Sequence, residues 1–391
     1  EFHDRQVSNV YALWLDRRPE DFVLQKEELE EVRWFEFESC LRLVEKNEIP
    51  HCIYLEELQM LLPEVRKRER LCILVTPPVT EEEKQQLLQA APGQKFFFTE
   101  KPEVTEEQLR RADIILGNLQ SPLQLKKCEN LKWIQLNNAG TEGYCEPGLL
   151  PESAQLANAT GAYGMAISEH MIGCLFALRK KLLLYWDNQK AHCWHSEGHV
   201  KVIERSNVLV IGCGDIGMTF GRKMNALGCR VSGIRRRVSK KSDCPEWMEG
   251  MYGMDSLEEL LPKADIVVMS LPGNASTYHV LSRERIALLS ENAVILNVGR
   301  GTAIDTDALA DALYTGKIAG AALDVTDPEP LPADHRLWNA PNLLITPHVS
   351  GGFSLPETLE KIVGLFADNL ERYFAGQPIE NLVNLQTGYR E

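Results

Sequence analysis

Long apolar runs are missing from this chain of 391 residues. No stretch approaches the roughly 18 uninterrupted apolar positions of a membrane-spanning helix, and no basic-then-apolar leader opens the sequence. Positive charge is in short supply as well. The formal net charge is −14 and no stripe of Lys and Arg relieves it, which excludes a nucleic-acid-binding surface. The ten cysteines are scattered, without one Cys-x-x-Cys pair. That scatter excludes a zinc site and a disulfide framework, and it suits a reducing cytoplasm. These absences leave a soluble globular protein with enough apolar residues, 44%, for two or three packed domains.

The most informative feature present is a strand, a glycine turn, a helix and a second strand between Asn207 and Arg237. The apolar run Val208 to Ile211 leads into Gly212, Gly214 and Gly217, spaced G-x-G-x-x-G, with Asp215 and Ile216 opening the helix. In that setting the glycines have separate tasks: a tight turn, close approach of backbone to a pyrophosphate, and close packing of helix on sheet. The helix start offers free N–H groups and the positive end of its dipole to the phosphates. A dinucleotide site is expected here.

Strands and helices alternate on both sides of this motif. Strands are read at 71–75, 95–98, 113–116 and 131–136, with helices at 81–91 and 106–111. Further strands follow at 264–271, ending at Pro272, at 293–298, ending at Gly299, at 319–325 and at 343–346. A helix at 355–374 is placed to return to the earlier sheet. Such alternation implies parallel sheets covered by helices, with ligands gathering beyond the carboxyl ends of the strands. Leu271, Pro272, Val298 and Gly299 are therefore candidate cofactor contacts. One apolar helix is expected from Ser168 to Tyr185, with Ile172, Leu175, Phe176, Leu178, Leu182 and Leu183 packing in the core or between subunits.

Arg300, Asp324, Glu329 and His348 all lie just past strand ends, in NVGRG, ALDV, DPEPLP and TPHVSGG. Singly, each is ordinary: an Arg for a salt bridge, a His within a core. In this order behind a dinucleotide motif, they make the sequence resemble the D-isomer-specific 2-hydroxyacid dehydrogenase family. The resemblance runs from about residue 70 to 391 and takes in NNAGT at 137–141 and NATGAYGMAISEH at 158–170. It implies an α/β protein of two Rossmann-like or flavodoxin-like parallel-sheet domains with a cleft between them. Residues 69–167 with 350–391 would bind substrate, and residues 168–349 would bind NAD(P).

The reaction implied is reduction of a small 2-oxo acid of the glyoxylate, hydroxypyruvate or pyruvate type. His348 would be the general acid, since an imidazole titrates at ~6.5 in water and changes protonation near neutrality. Glu329 would orient the ring and favour its charged form. Arg300 would clamp the substrate carboxylate with a planar pair of donors. The family's backbone amides at Asn138, Ala139 and Gly140 would share that carboxylate, and Asp324 would bond the nicotinamide carboxamide. A homodimer through the cofactor domain is implied as well, and no metal is expected.

One absence bears on the cofactor. NAD sites usually carry an Asp or Glu at the end of the second strand for the ribose hydroxyls. Here Ile234 is followed by Arg235, Arg236 and Arg237. Guanidiniums suit the 2′-phosphate of NADP, so NADP is the preferred cofactor and NAD the possible one, with Arg235 and Arg236 as contacts.

Residues 1–68, dense in Glu and Arg, are read as a separate small α+β segment. DRQVSNVYALWLD and KEELEEVRWFEFESCLRLVEKNE resemble the C-terminal half of a Nudix hydrolase, where a strand (here through Val32, Trp34 and Phe35) leads into a helix. The hydrolytic box is absent: Lys26 to Glu31 echoes part of it, but its glycine and glutamate fall on Ala12 and Arg18. Those glutamates are read as a solvated face, with no diphosphate hydrolysis expected. The start at Glu1, without methionine, is compatible with a piece of a longer fusion, and a degenerate module is the alternative. Two rival readings share the dehydrogenase fold. One is a cofactor-sensing binding protein of the co-repressor kind, which turnover of a 2-oxo acid would exclude. The other is a phosphoglycerate dehydrogenase-like enzyme, disfavoured because no regulatory domain follows Glu391.

Overall fold

The computed structural model describes residues 18, 21, 35, 37–49, 54–236, 244–352 and 355–390. Two parallel sheets organise them. The first contains β1 (Cys72–Val75), β2 (Lys95–Phe98), β3 (Ile114–Leu116), β4 (Trp133–Gln135) and β5 (Gln155–Ala157), in the order β2-β1-β3-β4-β5. The second contains β6 (Asn207–Ile211), β7 (Arg230–Ile234), β8 (Gly250–Tyr252), β9 (Ile266–Met269), β10 (Val294–Asn297), β11 (Gly320–Leu323) and β12 (Leu343–Ile345), in the order β12-β11-β10-β9-β6-β7-β8. Every strand read from the sequence between residues 71 and 346 is present within two residues of its expected ends, while β5 and β8 were not anticipated. Their sequences, QLA and GMY, are too short to declare a period.

The inner strands are apolar on both faces because helices cover both. Ile73, Leu74 and Val75 of β1 and Ile266 to Met269 of β9 are all fully buried. Order in the second sheet reverses between β6 and β9, which opens a crevice at their carboxyl ends. There Gly212 and Ser270 lie side by side, with the Ser270 hydroxyl donating to the Gly212 carbonyl at 2.7 Å.

The single helix expected from Ser168 is two helices. Gly164–Arg179 packs against the helix that follows the glycine turn and against β10, β11 and β12, burying Met171 and Leu175. It ends because Lys181 takes a left-handed conformation (φ 55°), and a second helix, Leu182–Lys190, starts in a new direction. Leu182, Leu183, Leu184 and Trp186 on that second helix are exposed. A domain boundary at 168 would cut the first of these helices.

Helix Pro356–Phe374 does return to the first sheet. Ile362, Val363, Phe366 and Leu370 are fully buried, and the Asn369 amide donates to the Gln135 side chain of β4 at 2.9 Å. Onto this helix dock two earlier ones, Phe37–Glu45 and Leu55–Arg68. The Arg66 guanidinium lies 3.8 Å over the Tyr373 ring and donates to the Tyr373 carbonyl at 2.7 Å. The Tyr373 hydroxyl donates to Glu38 at 3.2 Å. Among the described residues of 1–68 there is no strand, so the expected α+β segment is helical where it is described. Its expected strand falls on residues outside the described set, apart from Phe35, which lies in no strand; Lys26 to Glu31 and Ala12 also lie outside it. Among the described residues no helix is long and apolar enough to cross a membrane.

Candidate active site

The glycine turn distributes its tasks by sterics. Gly212 sits at φ 103°, and a Cβ there would come within 2.8 Å of the Ser270 carbonyl oxygen. A Cβ on Gly217 would run into the Gly212 carbonyl and Val210, so helix and strand touch at that point. Gly214 differs: a Cβ there would meet nothing, because the residue faces the open cleft. Gly214 caps helix Asp215–Ala226, whose first N–H groups have no partner within the helix. An open glycine at a helix start is the cradle a pyrophosphate needs. The Asp215 carboxylate is engaged elsewhere, accepting from the Gly164 N–H at 2.8 Å.

A cleft of about 860 Å³ runs from this turn to the first sheet. Gly212, Gly214, Asp215, Ile216, Leu271, Pro272, Val298 and Gly299 line it, as do Arg235 and Arg236 just beyond β7. Of the sequence-predicted cofactor residues, Gly217 and Asp324 do not line it. On the opposite wall are Ala139 and Gly140, but not Asn138, together with Thr141 and Glu142. That loop is pinned from behind. Asn137 and Asn118 exchange side-chain-to-backbone hydrogen bonds at 2.6 and 2.9 Å, and the Asn158 amide donates to the Ala139 carbonyl at 2.9 Å.

Arg300 enters the cleft just past β10, with Gly273 against its aliphatic stem and Gly140 at its tip. Its Nε and Nη2 donate to the two carboxylate oxygens of Glu142, both at 2.9 Å, and its Nη1 donates to the Gly299 carbonyl at 2.7 Å. Nearby, His348 Nδ1 and Glu329 Oε1 are 2.7 Å apart, leaving Nε2 as the other proton-carrying position. His348 and Glu329 are not among the residues lining the cleft; they stand beside it, near enough for His348 to act on Glu142 electrostatically. Burial pushes the Glu142 carboxyl up, but the hydrogen bonds and charge of Arg300 outweigh it and hold the group below the ordinary carboxylate range.

His348 adopts a left-handed backbone (φ 53°), a conformation that surrounding bonds must impose. Asp324 imposes it. The Asp324 carbonyl accepts the His348 N–H at 2.8 Å. Its buried carboxylate accepts the Thr346 hydroxyl (2.6 Å) and the Val349 N–H (3.0 Å) on one oxygen, and the Ser350 N–H (3.1 Å) and hydroxyl on the other. A carboxylate has about four acceptor sites, and all are taken. Through these four bonds Asp324 shapes the turn that carries His348. Sequence reasoning missed Glu142, Asn137 and Asn158. Glu142 stood one residue beyond the NNAGT loop, and nothing local marks an acid there as a partner for Arg300.

Residues 172–350 match the family model for the D-isomer specific 2-hydroxyacid dehydrogenase, NAD binding domain. A putative 2-hydroxyacid dehydrogenase of Haemophilus influenzae is 30% identical over 285 residues, which is 69% of this chain and 87% of that protein. Among solved structures, a D-isomer specific 2-hydroxyacid dehydrogenase family protein from Aeromonas salmonicida is 30% identical with a TM-score of 0.71, covering 81% of this chain and all (100%) of the other. A D-isomer specific 2-hydroxyacid dehydrogenase from Xanthobacter autotrophicus, solved with NADPH and MES, is 26% identical with a TM-score of 0.69, covering 82% and 100%. These comparisons give the Nudix resemblance of residues 1–68 no support.

Proposed function

The chain belongs to the D-isomer-specific 2-hydroxyacid dehydrogenase family, and from that premise we propose that it reduces a small 2-oxo acid of the glyoxylate, hydroxypyruvate or pyruvate type. The observation that carries this reading is Arg300, paired with Glu142 in a cleft that begins on an open glycine turn, with the His348–Glu329 pair beside it and near enough for His348 to act on Glu142 electrostatically. A bound nicotinamide dinucleotide supplies the hydride for carbon 2. The remaining work falls to the chain. His348 gives the proton on Nε2 to the carbonyl oxygen, so that hydride and proton together yield the 2-hydroxy acid. Glu329 holds the opposite ring nitrogen and keeps the donating edge aimed. Arg300 fixes the substrate carboxylate, with the 139–140 backbone beside it, and draws the carbonyl toward the imidazole.

NADPH is the preferred reductant in this proposal. Arg235 and Arg236 are exposed at the cleft wall where an NAD site usually has an acid. Residues 69–163 with 350–391 serve the substrate, and the residues between them, starting with helix Gly164–Arg179, serve the cofactor. Pairing of two chains through the exposed apolar residues of helix Leu182–Lys190 completes the proposal, and a monomeric mass at micromolar concentration refutes that part. The described cysteines are all free, in keeping with a cytoplasmic setting. A panel of 2-oxo acids assayed with NADPH and NADH tests the whole. Oxidation of NADPH by at least one of glyoxylate, hydroxypyruvate or pyruvate is expected, and none by any of the three defeats it.

A further inference from the structure

Arg300 is the group assigned above to the substrate's carboxylate, yet a carboxylate already holds it. Glu142 meets Arg300 in the two-pronged geometry a 2-oxo acid would use, with both oxygens on Nε and Nη2 at 2.9 Å. The arrangement is built into the wall. Gly140 lies so close that a Cβ there would collide with both Arg300 Nη2 and Glu142 Oε2, and the loop is anchored on each side of it through Asn158 and Thr141. The third donor, Nη1, is turned to the Gly299 carbonyl. A guanidinium has two good edges for bidentate pairing, and here one is taken by Glu142 and a donor of the other by the backbone. Substrate and Glu142 therefore want the same donors.

We propose that Glu142 is a built-in competitor for the substrate-binding arginine, which a 2-oxo acid must displace before it can be reduced. This rests on the assignment of Arg300 to substrate. Displacement is feasible because the pair is not sealed: the side chains of Arg300 and Glu142 are 30% and 50% exposed. Water can take the carboxylate when it swings away. The pair is ionised at neutral pH, since Glu142 is held below the ordinary carboxylate range. With Glu142 in place the arginine is neutralised, and inorganic anions meet a filled donor pair.

Glu142→Gln tests this, because it keeps the side chain's shape and removes its charge. KM for the 2-oxo acid should fall about three- to tenfold, the scale of a partly exposed bidentate ion pair, with kcat held within about twofold. Placed on Arg300→Gln, the same change should do nothing to KM. Binding of oxamate, an unreactive 2-oxo acid analogue, to the protein with NADPH should tighten by a similar factor when followed by calorimetry. A KM and an oxamate Kd that rise or stay unchanged in Glu142→Gln, or oxamate binding by neither protein, overturn the competition. A wild-type chain that reduces no 2-oxo acid counts instead against the proposed function, and the oxamate titration still decides whether Glu142 competes.

Discussion

At the cofactor end of the cleft, Gly212, Gly214 and Gly217 come from a single turn, in which Gly212 and Gly217 are held by close contacts with Ser270 and with each other and Gly214 faces open space. At the substrate end, Arg300 meets Glu142 across 158 positions of sequence, and His348 meets Glu329 across 19. The first end is made of backbone that cannot move without moving a strand. The second is made of partly exposed charged side chains that can exchange partners. On the proposed reading a dinucleotide meets a preformed cradle, whereas the substrate meets donors it must win. The two ends should consequently fail in different ways when altered.

The largest effect is expected at the substrate end. His348→Ala should lower turnover about 10²–10⁴-fold, the usual worth of a positioned proton donor. Assays at saturating NADPH check it, and turnover near the wild-type value would remove His348 from the mechanism. At the other end, replacing Arg235 and Arg236 together by serine should raise KM for NADPH at least about tenfold, the lower end of what charged hydrogen bonds contribute, and hardly touch NADH. Equal losses with both cofactors would mean that these arginines do not read the 2′-phosphate.

Two glycines separate shape from binding within the cradle. Gly217→Ala forces a Cβ into backbone and should cost about 3 kcal/mol of stability. Gly214→Ala meets open space and should cost no more than about 1 kcal/mol, while weakening the dinucleotide. Thermal unfolding of both variants with and without NADPH would show whether the turn is divided in this way. The smallest effect on catalysis concerns neither end. Removing residues 1–68 uncovers Tyr373 and should cost about 1–2 kcal/mol, through the lost Arg66 contacts, with kcat/KM unchanged. A truncated chain without catalytic activity would tie that segment to the site.

Legibility in the sequence follows the same division. Strands such as Lys95–Phe98 and Arg230–Ile234 could be bounded to the residue because period and apolar content are local properties. The glycine turn was readable for the same reason. The break at Lys181 was not, since an apolar stripe continues through it and only the backbone angle declares the stop. Asp324 was placed at the correct strand end, but its partners, Thr346, Val349 and Ser350, lie on the loop after the neighbouring strand. Glu142 was invisible as a partner of Arg300, because nothing in one segment announces a charge folded against it from another.

The central claim is that the two ends work independently around one cleft, with cofactor binding on the glycine turn and proton transfer at His348. It is tested most directly by titrating NADPH into the His348→Ala protein by fluorescence, on the same preparation whose turnover has been measured. An NADPH Kd within about twofold of wild type, in a protein that has lost at least about a hundredfold in turnover, is the result this account predicts. A Kd that weakens in step with turnover would contradict it, by placing His348 in the structure of the cofactor site.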